Sequence, residues 1–300
     1  MDRRELLKIA ALAGIGLSIP KGLDSLVGSI EAAEKTDLVV AHGTSPAKIT
    51  RAAIDAIGGI KRFISRGDVI VIKPNIAWDR LPEQAANTNP EVVATVAQLC
   101  FEAGAKKVKV FDSPVNDPRR CYVQSGIEKA LKPIGVELKY VDERRFRDMN
   151  IKGEALKSWP LYTEIFEADK VINIPVAKHH SIAKLTMSMK NWMGIMGGRR
   201  SSIHQRIDES LADLMLVIKP VLTILDAVRI MTANGPSGGD LADVKKLDTV
   251  IAGTDQVAID SYGATLFGMK GNDLGYVRIA DKMGLGTMDI SKLNIKKINI

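Results

Sequence analysis

Cysteine is scarce in this 300-residue chain, which holds only Cys100 and Cys121 and no Cys-x-x-Cys pair. Because an iron–sulfur cluster takes four cysteine ligands, this chain cannot hold one alone. Cys100 lies in an apolar helical pattern, which favours a buried free thiol. A bridge to Cys121 is the alternative in an oxidising compartment, and its geometry does not follow from sequence.

Aromatic residues are also few, at 5% of the chain, and no arginine-rich arm, zinc-finger spacing or aromatic RNA-binding motif is present. These absences argue against a nucleic-acid partner. What remains is ordinary globular composition, 46% hydrophobic and 26% charged, enough for one large or two moderate cores. The net charge of +7 is explained either by a lysine-rich solvated surface or by an anionic ligand or anionic membrane surface.

The amino terminus carries an export-like pattern. The pair Arg3-Arg4 is followed by Leu6-Leu7, Lys8 and an apolar run over residues 9–19. This arrangement resembles a twin-arginine export signal. The run is shorter than the roughly 17–25 residues that a membrane-spanning helix needs.

We therefore predict a signal peptide over residues 1–33 and a mature α/β domain over residues 34–300. The expected location is periplasmic or otherwise extracytoplasmic. No stable transmembrane span is expected after signal removal, and an uncleaved signal would act as a membrane anchor.

After residue 34, short apolar segments alternate with amphipathic ones. Strands are predicted near 37–43, 68–74, 106–112, 136–142, 169–175, 222–228, 247–253 and 296–300. Helices are predicted near 46–60, 89–105, 118–135, 181–194, 207–220, 255–268 and 273–283. This alternation predicts an α/β fold, a mainly parallel sheet covered by helices on both faces. Within that fold the chain could form two lobes, residues 34–150 and residues 151–300, which would share a cleft at the strand ends.

Polar residues follow most of these strands. Lys73-Pro74-Asn75, Asp112-Ser113, Lys178-His179-His180, Asp226 and Asp255 each come at or just after a predicted strand end. Ligands of parallel sheets bind beyond the carboxyl ends of the strands. The sequence therefore predicts a cleft there, with these residues on its rim.

Seven sequence blocks follow one another along the chain: "IKPNI" at 72–76, "VFDSP" at 110–114, "VINIPVAKHH" at 171–180, "TMSMKNWMG" at 186–194, "LDAVRIMTANGPSGG" at 225–239, "VIAGTDQVAIDSYGATLFG" at 250–268 and "GLGTMDISKLNI" at 284–295. Together they resemble the family called domain of unknown function 362. The resemblance implies an α/β fold, a biochemical role that is largely unassigned, and frequent association with ferredoxin-like iron–sulfur modules. This chain departs from the cluster-carrying members because it lacks their cysteines. The pattern Pro-x-x-Lys-x-His implies that Lys178 and His180 are better site candidates than His179.

Three lysines expected at the cleft suggest an anion site. Lysine side chains bind phosphate and carboxylate as point charges, and asparagine amides orient the same oxygens. The predicted ligand-binding or cofactor-binding residues are Lys73, Asn75, Asp112, Lys190 and Asn191. The alternative is that Lys190 and Asn191 lie on the solvated side of a helix whose methionines pack inward.

Two further chemistries are open for the same cleft. His180 with Asp226 and Asp255 would suit a divalent metal, although no tight metal-binding spacing supports it. General acid–base catalysis would use His180, Lys178 and Asp226, since an imidazole titrates near neutral pH. The cofactor is not determined by the sequence.

Two classes of function follow. One is a redox-associated or lyase-like enzyme that binds an anionic small molecule or cofactor. The other is a non-catalytic carrier or accessory protein that delivers a ligand, metal or iron–sulfur cluster to an exported redox enzyme. In either case a ferredoxin-like or exported redox protein is the expected macromolecular partner.

Overall fold

A computed structural model describes residues 36–300, which form one compact unit. The predicted export signal at 1–33 lies outside the described residues. No helix within 36–300 is long and apolar enough to cross a membrane. Cys100 and Cys121 are both buried free thiols.

A ten-stranded mixed sheet runs through the described chain, with a separate two-stranded hairpin. The strands are β1 (Leu38–His42), β2 (Val69–Pro74), β3 (Lys107–Val110), β4 (Glu137–Leu138), β5 (Phe146–Asn150), β6 (Ser158–Tyr162), β7 (Lys170–Ile174), β8 (Val176–His180), β9 (Lys184–Thr186), β10 (Leu222–Met231), β11 (Val244–Gly253) and β12 (Ile295–Asn299). The main path is β12-β1-β11-β10-β7-β2-β3-β4, with β8 paired to β10 and β9, while β5 and β6 form the hairpin. In the large sheet of the described residues, the antiparallel pairings are β1–β11, β10–β11 and β8–β9. The other pairings of that sheet are parallel, so it is mainly parallel as predicted.

Helices surround this sheet. They are α1 (Pro46–Ala56), α2 (Pro90–Glu102), α3 (Pro118–Gln124), α4 (Ile127–Leu131), α5 (Glu164–Glu167), α6 (Ile207–Val217), α7 (Gln256–Thr265) and α8 (Gly275–Lys282). Short 3-10 helices lie at Ile60–Arg62, Pro82–Gln84, Lys132–Ile134, Glu143–Arg145, Lys190–Ile195, Arg200–Arg206, Leu241–Asp243, Gly271–Asp273 and Ile290–Lys292. The predicted cap of α2 is confirmed: the Asn89 side chain accepts a hydrogen bond from the Glu91 N–H, and Pro90 takes the first helical position.

The two faces of the sheet bury separate hydrophobic clusters. In β2, Ile70 and Ile72 pack in the cluster that includes α1 and α2, whereas Val71 packs in the cluster that includes α6 and α7. This division follows from the alternation of side chains along a strand. It explains why the strands of this sheet are nearly continuous apolar runs.

The predicted helix over 181–194 is wrong. Residues 176–186 form the β8–β9 hairpin, in which Lys178 pairs with Thr186 and His180 with Lys184. Residues 185–192 are buried without interruption, so no helical stripe of exposed and buried positions exists there. The Asp260 carboxylate then accepts the N–H groups of Ser188 and Met189, which leads the chain into the 3-10 helix Lys190–Ile195.

Two other boundaries differ from prediction. The helix expected over 118–135 is divided into α3 and α4 at Gly126, whose φ of 73° is left-handed. The strand expected over 136–142 is reduced to β4, because its partner β3 already ends at Val110 and β4 lies at the sheet edge.

Candidate active site at the strand ends

A cavity of about 430 Å³ opens at the carboxyl ends of the parallel strands. Strands β2 and β7 pair Lys73 with Asn173, and Asp112 lies just beyond the end of β3. The polar lining residues are Lys73, Asn75, Asp112, Ser113, Lys178, His180, Ser181, Thr186, Lys190, Asn191, Arg200, Ser201 and His204. All seven side chains that the sequence assigned to an anion site or to Lys178 and His180 therefore lie around one cavity.

Lys73 and Asp112 form a buried ion pair, with 2.6 Å between Nζ and Oδ1. The Lys73 ammonium also donates to the Asn191 side-chain oxygen at 3.0 Å. Asp112 accepts two backbone N–H groups, from Ile76 at 2.6 Å and Ser113 at 2.9 Å. Burial lowers the pKa of Lys73 despite the opposing charge of Asp112. This pair is already satisfied, and it forms a fixed wall of the cavity.

A chain of amides extends from this pair. The Asn191 amide oxygen accepts from Lys73 and from the Asn75 amide nitrogen at 3.0 Å. The Asn191 amide nitrogen donates to the Lys73 carbonyl and to Asn173 at 2.8 Å. Asn191 is thus saturated by protein groups, and it orients Lys73 and Asn75 rather than facing solvent.

Lys178 is buried on β8 without a carboxylate partner. Its ammonium donates to the Asn75 side-chain oxygen at 3.2 Å and to the Ala86 carbonyl. Burial and the positive charge of Lys190 lower the pKa of Lys178 to about 7. Lys178 is therefore held in place by neutral acceptors while it remains able to exchange a proton near neutral pH.

His180 is placed as a hydrogen-bond donor toward the cavity. Its Nδ1 lies 3.1 Å from the Ile182 N–H and 3.2 Å from the Ala183 N–H, so Nδ1 accepts and the neutral ring carries its proton on Nε2. Burial and the charge of Lys190 lower the pKa of His180 to about 2. The His204 ring stacks on it, with 5.7 Å between centroids. The ring is consequently neutral, and it is poorly suited to be a general base through Nδ1.

Lys190 is the least satisfied cation of the site, whereas the neighbouring Arg200 donates to backbone carbonyls. Lys190 is 8% exposed, and the hydrogen-bond partner found for its ammonium is the Met193 sulfur at 3.2 Å. Arg200 donates to the carbonyls of Ser113 and Pro114. Burial and the charge of Arg200 lower the pKa of Lys190 to about 7, and burial lowers that of Arg200. The alternative that Lys190 and Asn191 lie on the solvated side of a helix is wrong, because both side chains are buried.

The charges lining the cavity do not balance. Among its described lining residues, Lys73, Lys178, Lys190 and Arg200 are cationic, and Asp112 supplies the carboxylate. Because Asp112 is engaged by Lys73, the other three cations face the cavity without a carboxylate of their own. Thr186 adds a buried hydroxyl that has no hydrogen-bond partner. Such an arrangement suits an anion that also accepts a hydrogen bond.

The remaining walls are apolar. They are formed by Ala77, Trp78, Val115, Ile182, Met193 and Pro236. Pro236 comes from the glycine-rich loop over 233–239. Its Gly235 N–H donates to His179 Nδ1 at 3.0 Å, and a Cβ at Gly235 would overlap the His179 carbonyl oxygen. The loop is therefore packed closely against β8 and contributes an apolar surface.

Asp226 and Asp255 do not join this site. Asp226 is buried on β10, where it accepts the N–H groups of Asn89 and Val228, and burial raises its pKa to about 6. Asp255 caps α7 through the N–H groups of Val257 and Ala258, and it also accepts that of Thr287. Neither lines the cavity of His180.

The metal set proposed from sequence, His180 with Asp226 and Asp255, is therefore not assembled. Across residues 36–300, no group of three or more His, Cys, Asp or Glu side chains is placed to hold a metal ion. The two carboxylates instead fix backbone segments, one at the start of α2 and the other at the start of α7.

Sequence reasoning missed three contributors. His204 was not among the predicted site residues, yet it lines the cavity and stacks on His180. Thr186 and Trp78 also line it. Arg200 also lines the cavity, whereas its neighbour Arg199 is exposed. Trp78, Thr186 and Arg200 each lie within ten residues of a predicted site residue, but His204 lies farther than that from Asn191, so nothing local pointed to it.

Comparisons with known proteins agree with the sequence blocks. Residues 70–265 match the family described as domain of unknown function (DUF362). A curated relative, the thylakoid-associated protein sll1697 of Synechocystis sp., is 31% identical over 219 residues, which are 70% of this chain and 66% of the relative. The chain thus spans just under two thirds of that relative's length.

Two solved structures are more distant. One is a Thermotoga maritima protein from a structural genomics consortium, with TM-score 0.43 and 10% identity over 80% of this chain and 60% of that one. The other is the lactate racemase apoprotein of Thermoanaerobacterium thermosaccharolyticum, with TM-score 0.42 and 9% identity over 74% of this chain and 55% of that one. The family match covers well over half of the sequence, and the chain therefore belongs to the DUF362 family.

Proposed function

We propose that the cavity at the strand ends binds a small organic anion, and that Lys178 and Lys190 exchange protons with it. The observation that carries this proposal is the surplus of buried cations around one cavity. Lys178, Lys190 and Arg200 each lack a carboxylate partner there. A volume of about 430 Å³ lies within the range of small-molecule sites.

The surplus cations favour an anion for an electrostatic reason. Burying a charge without a counter-charge is unfavourable, and the amines respond by releasing their protons. Lys178 and Lys190 have pKa values lowered to about 7 by burial and by neighbouring cations. A bound anion would compensate the charge of the amine that holds its anionic group and raise the pKa of that amine again. Binding should therefore take up protons from solution at slightly alkaline pH.

The apolar walls favour an organic anion over an inorganic one. Trp78, Met193 and Pro236 would contact a hydrocarbon or planar part of the ligand. The lysines that line the cavity would bind its anionic group. The Thr186 hydroxyl and the Nε2 proton of His180 supply neutral hydrogen bonds. The ligand class is thus a small carboxylate or phosphate ester with an apolar portion.

The two amines also favour an enzyme over a carrier. A group that titrates near the working pH is suited to general acid–base catalysis, whereas a carrier needs only fixed charges. In this proposal Lys178 keeps the acid–base role predicted from sequence, and Lys190 takes the role that was predicted for His180 and Asp226. His180 acts as a neutral donor, and Asp226 supports the loop before α2.

Calorimetric titration tests the proposal. Benzoate and phenyl phosphate would be titrated into the protein at pH 8, in two buffers of different ionisation enthalpy, with uncharged benzamide as the matched ligand. We expect both anions to bind with net proton uptake and benzamide not to bind. Equal binding of benzamide, or binding of neither anion, would overturn the proposal.

Three variants localise the effect. Lys178→Met and Lys190→Met remove one amine each with little change in side-chain length, and Lys48→Met removes an exposed lysine on α1. Either cavity variant should weaken anion binding by about tenfold or more, since a charge-assisted contact contributes about 1.5–3 kcal/mol. The Lys48 variant should bind as the unaltered protein does. Cavity variants that fold normally and bind with unchanged affinity would place the anion elsewhere.

A further inference from the structure

The three lysines of the cavity differ in how their amines are used. Lys73 is committed to Asp112, Asn191 and the Pro74 carbonyl. Lys178 is committed to the Ala86 carbonyl and the Asn75 amide oxygen. Both of those amines donate to oxygen atoms of the protein. In the described structure the Lys190 ammonium instead contacts the Met193 sulfur. A thioether is a weak acceptor, so within the described site Lys190 presents the amine that is most available to a ligand.

The surroundings of Lys190 are those of a nucleophilic amine. A lysine becomes nucleophilic when it loses its proton, and desolvation or an adjacent cation promotes that loss. Lys190 has both, since it is almost fully buried and interacts electrostatically with Arg200 and Lys178. With its pKa lowered to about 7, a large fraction of this amine is neutral at physiological pH.

We infer that Lys190 forms an imine with the carbonyl carbon of a 2-oxo acid or a similar carbonyl-bearing organic anion held in the cavity. This inference rests on the proposed anion binding, which would bring the carbonyl group to the amine. The carboxylate of such a ligand would be held by Lys178 and Arg200, and its carbonyl oxygen would receive a hydrogen bond from Thr186 or from His180 Nε2. The cavity holds all of these groups in its lining.

The step balances without an external oxidant or reductant. The Lys190 nitrogen attacks the carbonyl carbon, a C–N bond forms, and the carbonyl π bond breaks to give a carbinolamine. In forming the carbinolamine one proton passes from the nitrogen to the oxygen; a second proton, supplied by an acid, lets the hydroxyl leave as water, and the nitrogen lone pair forms the C=N bond of a protonated imine. The Lys178 ammonium can donate a proton to the departing hydroxyl and recover one from the nitrogen, because its pKa is also about 7. A protonated imine draws electrons from the adjacent carbon, which is the basis of lyase and decarboxylase chemistry.

Reductive trapping tests this step. The purified chain would be incubated with pyruvate or glyoxylate and cyanoborohydride at pH 7.5, and the labelled lysines would be identified by peptide mass spectrometry. We expect the Lys190 peptide to be labelled at least about tenfold faster than the Lys48 peptide of the same molecules, since an amine of ordinary pKa is almost fully protonated at this pH. Labelling of Lys190 no faster than Lys48, or preferential labelling of Lys178, would overturn the inference.

Variants separate this inference from the proposed function. Lys190→Met should lose the fast-labelled site, Lys178→Met should keep it at a reduced rate, and Lys48→Met should keep it unchanged. Circular dichroism would verify that each variant is folded, and the comparison of Lys190 with Lys48 within the unaltered protein needs no variant. Anion binding with proton uptake but no fast labelling would refute the imine while leaving the binding proposal in place. Absence of both would remove the binding proposal as well.

Discussion

Gly194 lies so close to Asp112 that no other residue type fits at this position while the Lys73–Asp112 pair is kept. A Cβ on Gly194 would overlap Asp112 Oδ1 and would lie 2.6 Å from Lys73 Nζ. Asp112 cannot easily move away, because its two oxygens are fixed by the N–H groups of Ile76 and Ser113. The absence of a side chain at 194 is therefore part of how the wall of the cavity is built.

We expect Gly194→Ala to lower the free energy of unfolding by about 2 kcal/mol, as overpacking of a fixed interior does. It should also weaken anion binding, because Lys73 and Asp112 would be displaced at the cavity wall. Urea unfolding and calorimetric titration measure the two effects. Gly268→Ala is the matched control: its φ of 71° makes alanine unfavourable by about 1 kcal/mol, but the space around it is open and it is outside the cavity. Equal anion affinities in the two variants would contradict the role given to Gly194.

The ion pair itself gives a second prediction. Asp112→Asn leaves the buried Lys73 ammonium without its counter-charge, so we expect a loss of about 3 kcal/mol in unfolding free energy. Asp142→Asn removes the carboxylate of an exposed pair with Arg144, and it should change stability far less, because solvent screens that pair. Urea unfolding at pH 7 compares the two. A loss at Asp112 no larger than that at Asp142 would show that Lys73 does not depend on this carboxylate.

The convergence of side chains at the cavity was predictable because it follows from the sheet. Parallel strands end at one edge, and Lys73, Asp112 and Lys178 each lie at or near such an end. Their assignment to ligand binding or catalysis remains a prediction. Asp226 fits the same pattern by sequence position, but its side chain is used to anchor the backbone of Asn89. Strand-end position fixes the edge on which a residue lies, but it does not fix which way its side chain points.

The burial of Lys190 was not predictable from local pattern. The pattern of residues 181–194 predicts an amphipathic helix, and a lysine in such a helix is normally solvated. Its conformation is decided by distant groups, since the Asp260 carboxylate binds the backbone of Ser188 and Met189 and β8 pairs with β10. His204 is likewise brought to His180 by the fold, because nothing in the residues between them indicates ring stacking. Long-range contacts of this kind leave no periodic signal in a single sequence.

His180 and His179 offer a matched pair of substitutions on one strand. Both rings accept backbone N–H groups through Nδ1, His180 from Ile182 and Ala183 and His179 from Gly235. Of the two, His180 lines the cavity at the strand ends and His179 does not. An asparagine oxygen can replace the Nδ1 acceptor, whereas the Nε2 donor is lost.

We expect His180→Asn to weaken anion binding by about three- to tenfold, the loss of one neutral hydrogen bond, and His179→Asn to leave it unchanged. In the unaltered protein, anion affinity should fall as the pH rises through about 7, where Lys178 and Lys190 lose their protons, and His180, with its pKa lowered to about 2, should add no transition of its own. Calorimetric titrations between pH 5.5 and 8 measure both effects. Weakening by both variants alike would indicate that the hairpin, and not the Nε2 proton, is what binding requires.

The buried amine of Lys190 also predicts how stability changes with pH. In the folded chain burial and Arg200 lower its pKa to about 7, whereas in the unfolded chain it returns to about 10.5. Between these values the unfolded state binds more protons than the folded state, so stability rises with pH. Below pH 7 both states are protonated, and the folded state carries the full penalty of the buried charge.

Lys190→Met removes this penalty. The variant should be more stable than the unaltered protein at pH 6, and the difference should shrink as the pH rises from 7 to 9, at up to about 1.4 kcal/mol per pH unit. Burial raises the pKa values of Asp226 and Asp260 to about 6 and 7, so these two groups make stability fall as the pH rises. Both are present in the variant and in the unaltered protein, so their contributions largely cancel when the two stabilities are subtracted. Urea unfolding of the two proteins across this range, with Lys48→Met as the exposed-lysine control, measures the effect. A Lys190→Met variant that is less stable at pH 6, or a difference that does not change with pH, would mean that the amine has a counter-charge in the folded protein, and it would then be neither a nucleophile nor a site for an anion.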